Sequence, residues 1–263
     1  MHVPIIESVH NPKVKQWAEL LHKKGREKHG KFIVEGVHLV KEAIEAKMEI
    51  DCIVYSQDLP EELSRYRNEP LQWFHVSHNV LKKCTSTESP QRVFAVLHKR
   101  LRGNDDWWRQ EQPLVVVLDK VQDPGNVGTI IRSTEASGAT GVIIGSGSAD
   151  VYNPKTVRAT MGAMFRLPIL EGHVLPYVKE ARKRGIRVVS TSLQAKRNCY
   201  EVDWKQGIWF LVGNEGAGVS NDIADEVDEM ITIPMLGQAE SLNVAMATTV
   251  LLFEAMRQRA FAR

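Results

Sequence analysis

The chain has 263 residues, 43% hydrophobic and 25% charged, with a formal net charge of +2. That length suits one large domain or two small ones around a real core, and the composition is that of a soluble globular protein. No run of residues approaches a membrane span, no apolar leader core opens the sequence, and Cys52, Cys84 and Cys199 are too scattered for a disulfide framework or a zinc knuckle.

A cytoplasmic, metal-free protein without membrane association is therefore expected. His75 and His78 have a spacing used by metal sites, but no further ligand joins them, and they read as surface histidines. Cations crowd the first stretch, where Lys13, Lys15, Lys23, Lys24, Arg26, Lys28 and Lys31 face only Glu7, Glu19 and Glu27. Asn11-Pro12 opens a helix there, with Asn as cap and Pro at the first helical position. Val14, Trp17, Ala18 and Leu21 give it one apolar face, which turns the cations outward. Such a face is either merely solvated or the electrostatic footprint of a phosphate-binding surface.

From Lys31 to Lys99 short strands and helices alternate. Phe32 to Val34, Ile50 to Tyr55, Leu71 to Val76 and Val93 to Leu97 read as strands, and Val37, Val40 and Ile44 lie on a helix after Glu35-Gly36. This is a small α/β unit over residues 1–100 with no visible catalytic constellation. The polar stretch of residues 101–112, with Trp107 and Trp108 packing somewhere nearby, is the best linker candidate.

A second α/β region fills residues 113–263. It opens with the near-continuous apolar strand Leu114 to Leu118, as buried parallel sheets show. Gly141 to Ile144, Arg187 to Ser190, Trp209 to Val212 and Met230 to Ile233 are further strands, with helices between them, so a mostly parallel sheet with crossovers is expected. After its first strand comes Asp123-Pro124-Gly125-Asn126-Val127-Gly128, leading into a helix that Gly138 closes. Asn126 can cap this helix, and Val127, Ile130, Ile131 and Thr134 form its buried stripe. Arg132 lies off the stripe, one turn above Gly128. It is either a ligand-facing cation or a solvent-facing residue paired with Glu135. The turn lacks GxGxxG, the next strand ends without a ribose-binding acid, and no Walker lysine motif occurs, so a dinucleotide or P-loop site is disfavoured.

Leu211 to Val212 then delivers Gly213-Asn214-Glu215-Gly216-Ala217-Gly218-Val219-Ser220, a glutamate in a Gly-rich turn at the carboxyl edge of a strand. Ser220 reads as the cap of a following helix. Glu215 is either a functional acid or a loop acid without a role. Finally Ile231 to Met235 runs through Gly237 to Ser241-Leu242-Asn243-Val244-Ala245 and a terminal helix entered at Ser241. Its stripe is Ala245, Thr248, Thr249, Leu252, Ala255 and Met256. Val250, Leu251 and Phe253 fall off that stripe, so the helix is apolar nearly all round and calls for burial in the core or against another subunit. Taken alone, Ser241 and Asn243 read as a helix cap.

Asn126, Gly128, Arg132 and Gly138, then Gly213 to Ser220, then Ile233 to Val244 stand in order as the three motifs of one family. From about Leu114 onward the chain resembles the SpoU/TrmH RNA ribose 2′-O-methyltransferases of the SPOUT superfamily. Asn11-Pro12 and Phe32 to Gly36 resemble the substrate-binding extension of some members, which has a ribosomal-protein-like α/β fold.

The resemblance implies a parallel sheet with a deep trefoil knot and a homodimer with the terminal helix in its interface. S-adenosylmethionine would be held by Thr191, Leu211, Gly213, Asn214, Ile233 and Leu242. The implied reaction is attack of a ribose 2′-hydroxyl on the sulfonium methyl, in rRNA ahead of tRNA, without a metal. Arg132 is the implied catalytic residue. An arginine holds its proton throughout the working pH range, so a phosphate clamp and alkoxide stabiliser is a safer role than general base. Asn126, Glu215, Ser241 and Asn243 would position it and the ribose, with residues of both subunits contributing. Lys13, Lys15, Lys23, Lys24, Arg26 and Lys28 would bind RNA. A non-catalytic RNA-binding protein and a different small-molecule enzyme on an α/β scaffold are the alternatives, the first opposed by the complete residue set and the second by the missing nucleotide fingerprints.

Overall fold

The structure, a computed structural model, describes residues 4–99 and 105–261. Residues 100–104, which include Leu101 to Asn104 of the expected linker, lie outside the described residues. The chain divides into two compact units, residues 1–100 with 152–165 and residues 101–151 with 166–263.

In the first unit β1 (Ile5–Ile6), β2 (Lys31–Glu35), β3 (Ile50–Tyr55), β4 (Trp73–Val76) and β5 (Val93–His98) form a mixed sheet in the order β1-β4-β3-β5-β2. Its helices are α1 (Pro12–Glu19), α2 (Lys23–His29), α3 (Val37–Glu45), α4 (Glu61–Ser64) and α5 (His78–Lys83). Helix α1 starts as its sequence predicts: Asn11 Oδ1 accepts from Lys13 N at 2.9 Å and Pro12 opens the helix. Val14, Trp17 and Leu20 pack on one face of the sheet together with Val80, Leu81 and Cys84, against Val54, Val96 and Phe94. Ile33 joins that cluster. Its neighbour Phe32 points to the other face, where its ring lies 4.7 Å from that of Tyr152.

The basic stretch is two helices with a turn at Leu20, not one outward-facing array. Arg26, expected among the exposed cations, is 3% exposed, and its Nη1 donates to Leu20 O and Leu21 O, each at 2.9 Å. The end of α1 leaves carbonyls without helical partners, and a buried guanidinium satisfies them. Arg26 is therefore a clamp on the turn rather than part of a phosphate-binding face. Glu19 closes the same hairpin, accepting from His29 Nε2 at 2.7 Å and Lys28 Nζ at 2.9 Å. Those two partners hold its carboxyl below the usual carboxylate range.

The second unit holds seven strands, β6 (Leu114–Leu118), β7 (Gly141–Gly145), β8 (Ile169–Gly172), β9 (Arg187–Thr191), β10 (Arg197–Asn198), β11 (Ile208–Val212) and β12 (Glu229–Thr232). All pairings are parallel, in the order β10-β12-β9-β11-β6-β7-β8. The helices are α6 (Pro124–Ala136), α7 (Pro154–Thr160), α8 (Val174–Lys183), α9 (Asn221–Ala224) and α10 (Val244–Met256); of these, α7 falls in the first unit. β8 and β10, which the sequence reading omits, are short edge strands with little two-sided burial to mark them. The chain steps from β6 to β7 to β8 in one direction, then crosses by α8 to β9 on the other side. The order thus reverses between β6 and β11, and ligands of open α/β sheets bind outside the carboxyl ends of strands at such a point.

Trp107 is buried, edge-on to Trp209 at 6.1 Å, and Trp108 stacks on Trp209 at 5.1 Å, so the C-terminal part of the expected linker packs on the second unit. All three cysteines are free and buried, and burial pushes the Cys52 and Cys84 thiols up to about 12. His75 stacks on Tyr55 at 4.9 Å rather than standing free. Among the described residues no helix is long and apolar enough to cross a membrane, and no His, Cys, Asp or Glu cluster could hold a metal.

Candidate active site

One expected helix cap moves and another falls on one member of its pair, and together they build the site. Asp123, not Asn126, caps α6, its carboxylate accepting from Asn126 N at 2.9 Å. Asn243, not Ser241, caps α10, its Oδ1 accepting from Ala245 N at 2.9 Å and Met246 N at 3.3 Å. A cap needs its side-chain oxygen two or three residues ahead of the free N–H groups, and only these residues have that spacing.

The Asn126 side chain is thereby released to reach two other loops. Its Nδ2 donates to Glu215 Oε1 at 2.9 Å, and its Oδ1 accepts from Asn243 Nδ2 at 3.1 Å. The direction of this relay is set at α10. The oxygen of Asn243 is taken by helix N–H groups, so only its amino group is left for Asn126. That engages the oxygen of Asn126 and aims its amino group at the carboxylate. Three stretches far apart in sequence meet in one hydrogen-bonded line.

The loop that carries Glu215 is tied at both ends. Asn214 and Gly218 exchange backbone hydrogen bonds at 2.9 Å, while Asn214 Oδ1 accepts from Gly216 N and Ala217 N at 3.0 Å. A Cβ on Gly213 would stand 2.2 Å from the Gly218 carbonyl carbon, and Gly218 itself has φ +69°, so both positions require glycine. Asn214 Nδ2 donates to Lys120 O at 3.1 Å. At the other end Asp119, 3% exposed, accepts from Ser220 N at 2.7 Å and Ser220 Oγ at 2.6 Å. Ser220 does stand at the cap position of α9, but its hydroxyl goes to Asp119 and makes no side-chain cap bond. Sequence reasoning missed Asp119. Its signal was an acid directly after an apolar buried strand, at the edge where ligands bind.

Beside this relay lies a cleft of about 460 Å³, within the usual range for small-molecule sites. Thr191, Gly213, Asn214, Glu215, Ile233, Ser241, Leu242 and Asn243 line it, together with the apolar Leu193, Val219 and Met235. Leu211 does not: it is fully buried in β11, and its carbonyl accepts from Ser190 Oγ at 3.1 Å behind the cleft wall. Among the described residues the segment Pro234 to Leu242 makes no hydrogen bond, which leaves its backbone groups free for a ligand.

Arg132 stays outside the cleft lining. It is exposed on α6 and has no hydrogen-bond or ion-pair partner among the described residues. Glu135, the alternative partner, is engaged by Arg166 at 2.8 Å. Six residues of helix put Arg132 about 9 Å along and about 120° around from Asn126. Ser133 and Thr249, whose hydroxyls lie 2.7 Å apart, join α6 to α10 between them.

Residues 113–253 match the SpoU rRNA Methylase family, and residues 11–95 match the MRM3-like substrate binding domain. The chain is 36% identical over 255 residues to the 23S rRNA (guanosine(2553)-2'-O)-methyltransferase RlmP of Bacillus subtilis (strain 168), covering 94% of this chain and 97% of that protein. The structure of the SpoU methyltransferase AviRb from Streptomyces viridochromogenes in complex with AdoMet matches with a TM-score of 0.88 and 33% identity, over 97% of this chain and 100% of that one. The AdoMet-bound rRNA methyltransferase from Sinorhizobium meliloti matches with a TM-score of 0.87 and 34% identity, over 99% of each chain. With its three motifs joined at the reversal of a parallel sheet, and a family match over more than half its length, this chain belongs to the SpoU rRNA methylase family.

Proposed function

We propose that this chain is an S-adenosylmethionine-dependent methyltransferase acting on a ribose 2′-hydroxyl of rRNA, ahead of tRNA. The observation that carries the reading is the Asn243–Asn126–Glu215 relay at the mouth of the cleft. It belongs to a site built to position polar groups, which neither a bare RNA-binding scaffold nor a nucleotide fold requires.

The cleft suits that cofactor. Leu193, Val219, Ile233 and Leu242 offer an apolar wall for a flat base, and the free backbone of Pro234 to Leu242 offers donors and acceptors for its edge. Thr191, Asn214, Glu215 and Ser241 supply the polar lining for the charged end. When bound, the cofactor would supply an electrophilic sulfonium methyl for transfer to the ribose oxygen, and Thr191, Gly213, Asn214, Ile233 and Leu242 would hold it. The work of the protein is orientation. Asn126 and Asn243 fix the Glu215 carboxylate, which with Ser241 orients the ribose. Arg132 clamps a phosphate beside the target and stabilises the developing alkoxide with its planar guanidinium.

The working unit is a homodimer, with the family's knotted C-terminal segment at its junction. Met246, Val250 and Phe253 follow the i, i+4, i+7 spacing on α10, and Met246 and Phe253 remain 56% and 41% exposed. Leu251, expected beside them, is instead fully buried in its own chain, so the contact stripe is narrower than the sequence suggests. Because Arg132 faces away from the Asn126 side of α6, we read it as serving the cleft of the second protomer. The second unit from about residue 113 carries the chemistry, and the first unit binds RNA. The test is tritium transfer from labelled S-adenosylmethionine to rRNA, followed by nuclease digestion. Label in 2′-O-methyl nucleosides supports the reading; label only in base-methylated nucleosides, or none, removes it.

A further inference from the structure

We infer that RNA phosphates track the face formed by α1 and α5, through Lys13, Lys15, Lys82 and Lys83, and not the α2 side of the basic stretch. This rests on the RNA-methyltransferase reading and gives it a surface. The two helices lie side by side on one face of the sheet: Val14 shares a core with Val80, Leu81 and Cys84, and Cys84 Sγ approaches Val14 O at 3.7 Å. Leu81 and Cys84 point inward, which leaves Lys82 and Lys83 exposed on α5, while Lys13 and Lys15, on either side of the inward-facing Val14, are exposed on α1.

The charge on the two sides differs in kind. On α2, Lys28 is bound to Glu19 at 2.9 Å, Lys23 lies 3.9 Å from Glu27, and Arg26 is buried on carbonyls. Only Lys24 there lacks a partner among the described residues. On the α1–α5 face the one acid of α1, Glu19, is committed to α2, and α5 has none. Lys15, Lys82 and Lys83 have no carboxylate partner among the described residues, and Lys13 lies 5.0 Å over the Phe74 ring, which leaves its charge intact. Four unneutralised cations on two packed helices match a polyanion backbone, whereas paired cations must break an ion pair to meet one.

The test is the salt dependence of binding a fluorescein-labelled 30-nucleotide RNA stem-loop to the full chain, with circular dichroism to confirm folding. Removing a phosphate contact makes the slope of log K against log salt shallower by roughly 0.7 to 0.9. Lys82→Gln/Lys83→Gln and Lys13→Gln/Lys15→Gln should each lose roughly 1.4 to 1.8 from the slope, while Lys23→Gln/Lys28→Gln should match the wild type. A wild-type slope in Lys82→Gln/Lys83→Gln, or the larger loss in Lys23→Gln/Lys28→Gln, overturns the inference while RNA binding itself stands. A wild-type chain with no salt-dependent RNA binding would instead remove the underlying reading.

Discussion

Asn126 donates its side-chain amide to Glu215 at 2.9 Å across 89 positions of sequence, and the orientation of that amide is dictated by Asn243 at the start of α10. Because the relay has one direction, each member has a distinct consequence. Glu215→Gln keeps shape but removes the carboxylate, and turnover should fall by about 10² or more, with cofactor affinity and melting temperature little changed. Asn243→Ala should lose activity and also about 1 kcal/mol of stability, because it removes a helix cap as well. Single-turnover methyl transfer beside thermal melts distinguishes the two. Equal stability losses in both variants would break the assignment of roles.

Arg132→Ala and Arg132→Lys should both abolish methyl transfer while leaving cofactor binding intact, since an ammonium cannot reproduce the planar fork. If Arg132 serves the opposite protomer, mixing Arg132→Ala with Glu215→Ala and allowing exchange should restore activity, up to about a quarter of the wild-type level for random pairing. Each variant alone should stay inactive. A Phe253→Asp chain, with that exposed residue of the proposed interface replaced, should sediment as a monomer and lose activity with it.

Asp119 holds the far end of the Glu215 loop by two hydrogen bonds to Ser220. Asp119→Ala should lower turnover at least tenfold and weaken cofactor binding without changing the KM for RNA. Asp119→Asn, which retains an accepting oxygen, should recover most of the loss. A residue that merely stabilised the fold would lower the melting temperature and leave turnover of the folded fraction unchanged.

Arg26→Ala should destabilise the protein by about 1–3 kcal/mol, because it leaves buried carbonyls unsatisfied. The salt slope of RNA binding should stay at the wild-type value. Denaturant melts and the stem-loop titration measure the two effects separately.

Much of the second unit was legible because buried parallel strands such as Leu114 to Leu118 are continuous apolar runs, all five residues buried. The edge strands β8 and β10 were not, since a strand covered on one side has only a few residues to carry an alternation. In the site, residue types were readable but their bonding was not. Asp123 and Asn126, and likewise Ser241 and Asn243, are all competent caps, and only the three-dimensional start of each helix decides between them. Arg26 departs from the expectation of an exposed cation for a related reason. A cation in a basic run looks solvated until the turn at Leu20 exposes carbonyls for it to cover. A knot is implied by the family resemblance alone, because periodicity carries no information on threading.

The most direct measurement is a map of 2′-O-methyl marks across rRNA from cells lacking this chain. A ribose mark should disappear, return with the wild-type chain, and stay absent with Arg132→Ala. An rRNA methylation map unchanged by the deletion would contradict the assignment to rRNA, and restoration of the mark by Arg132→Ala would contradict the catalytic role proposed for that arginine.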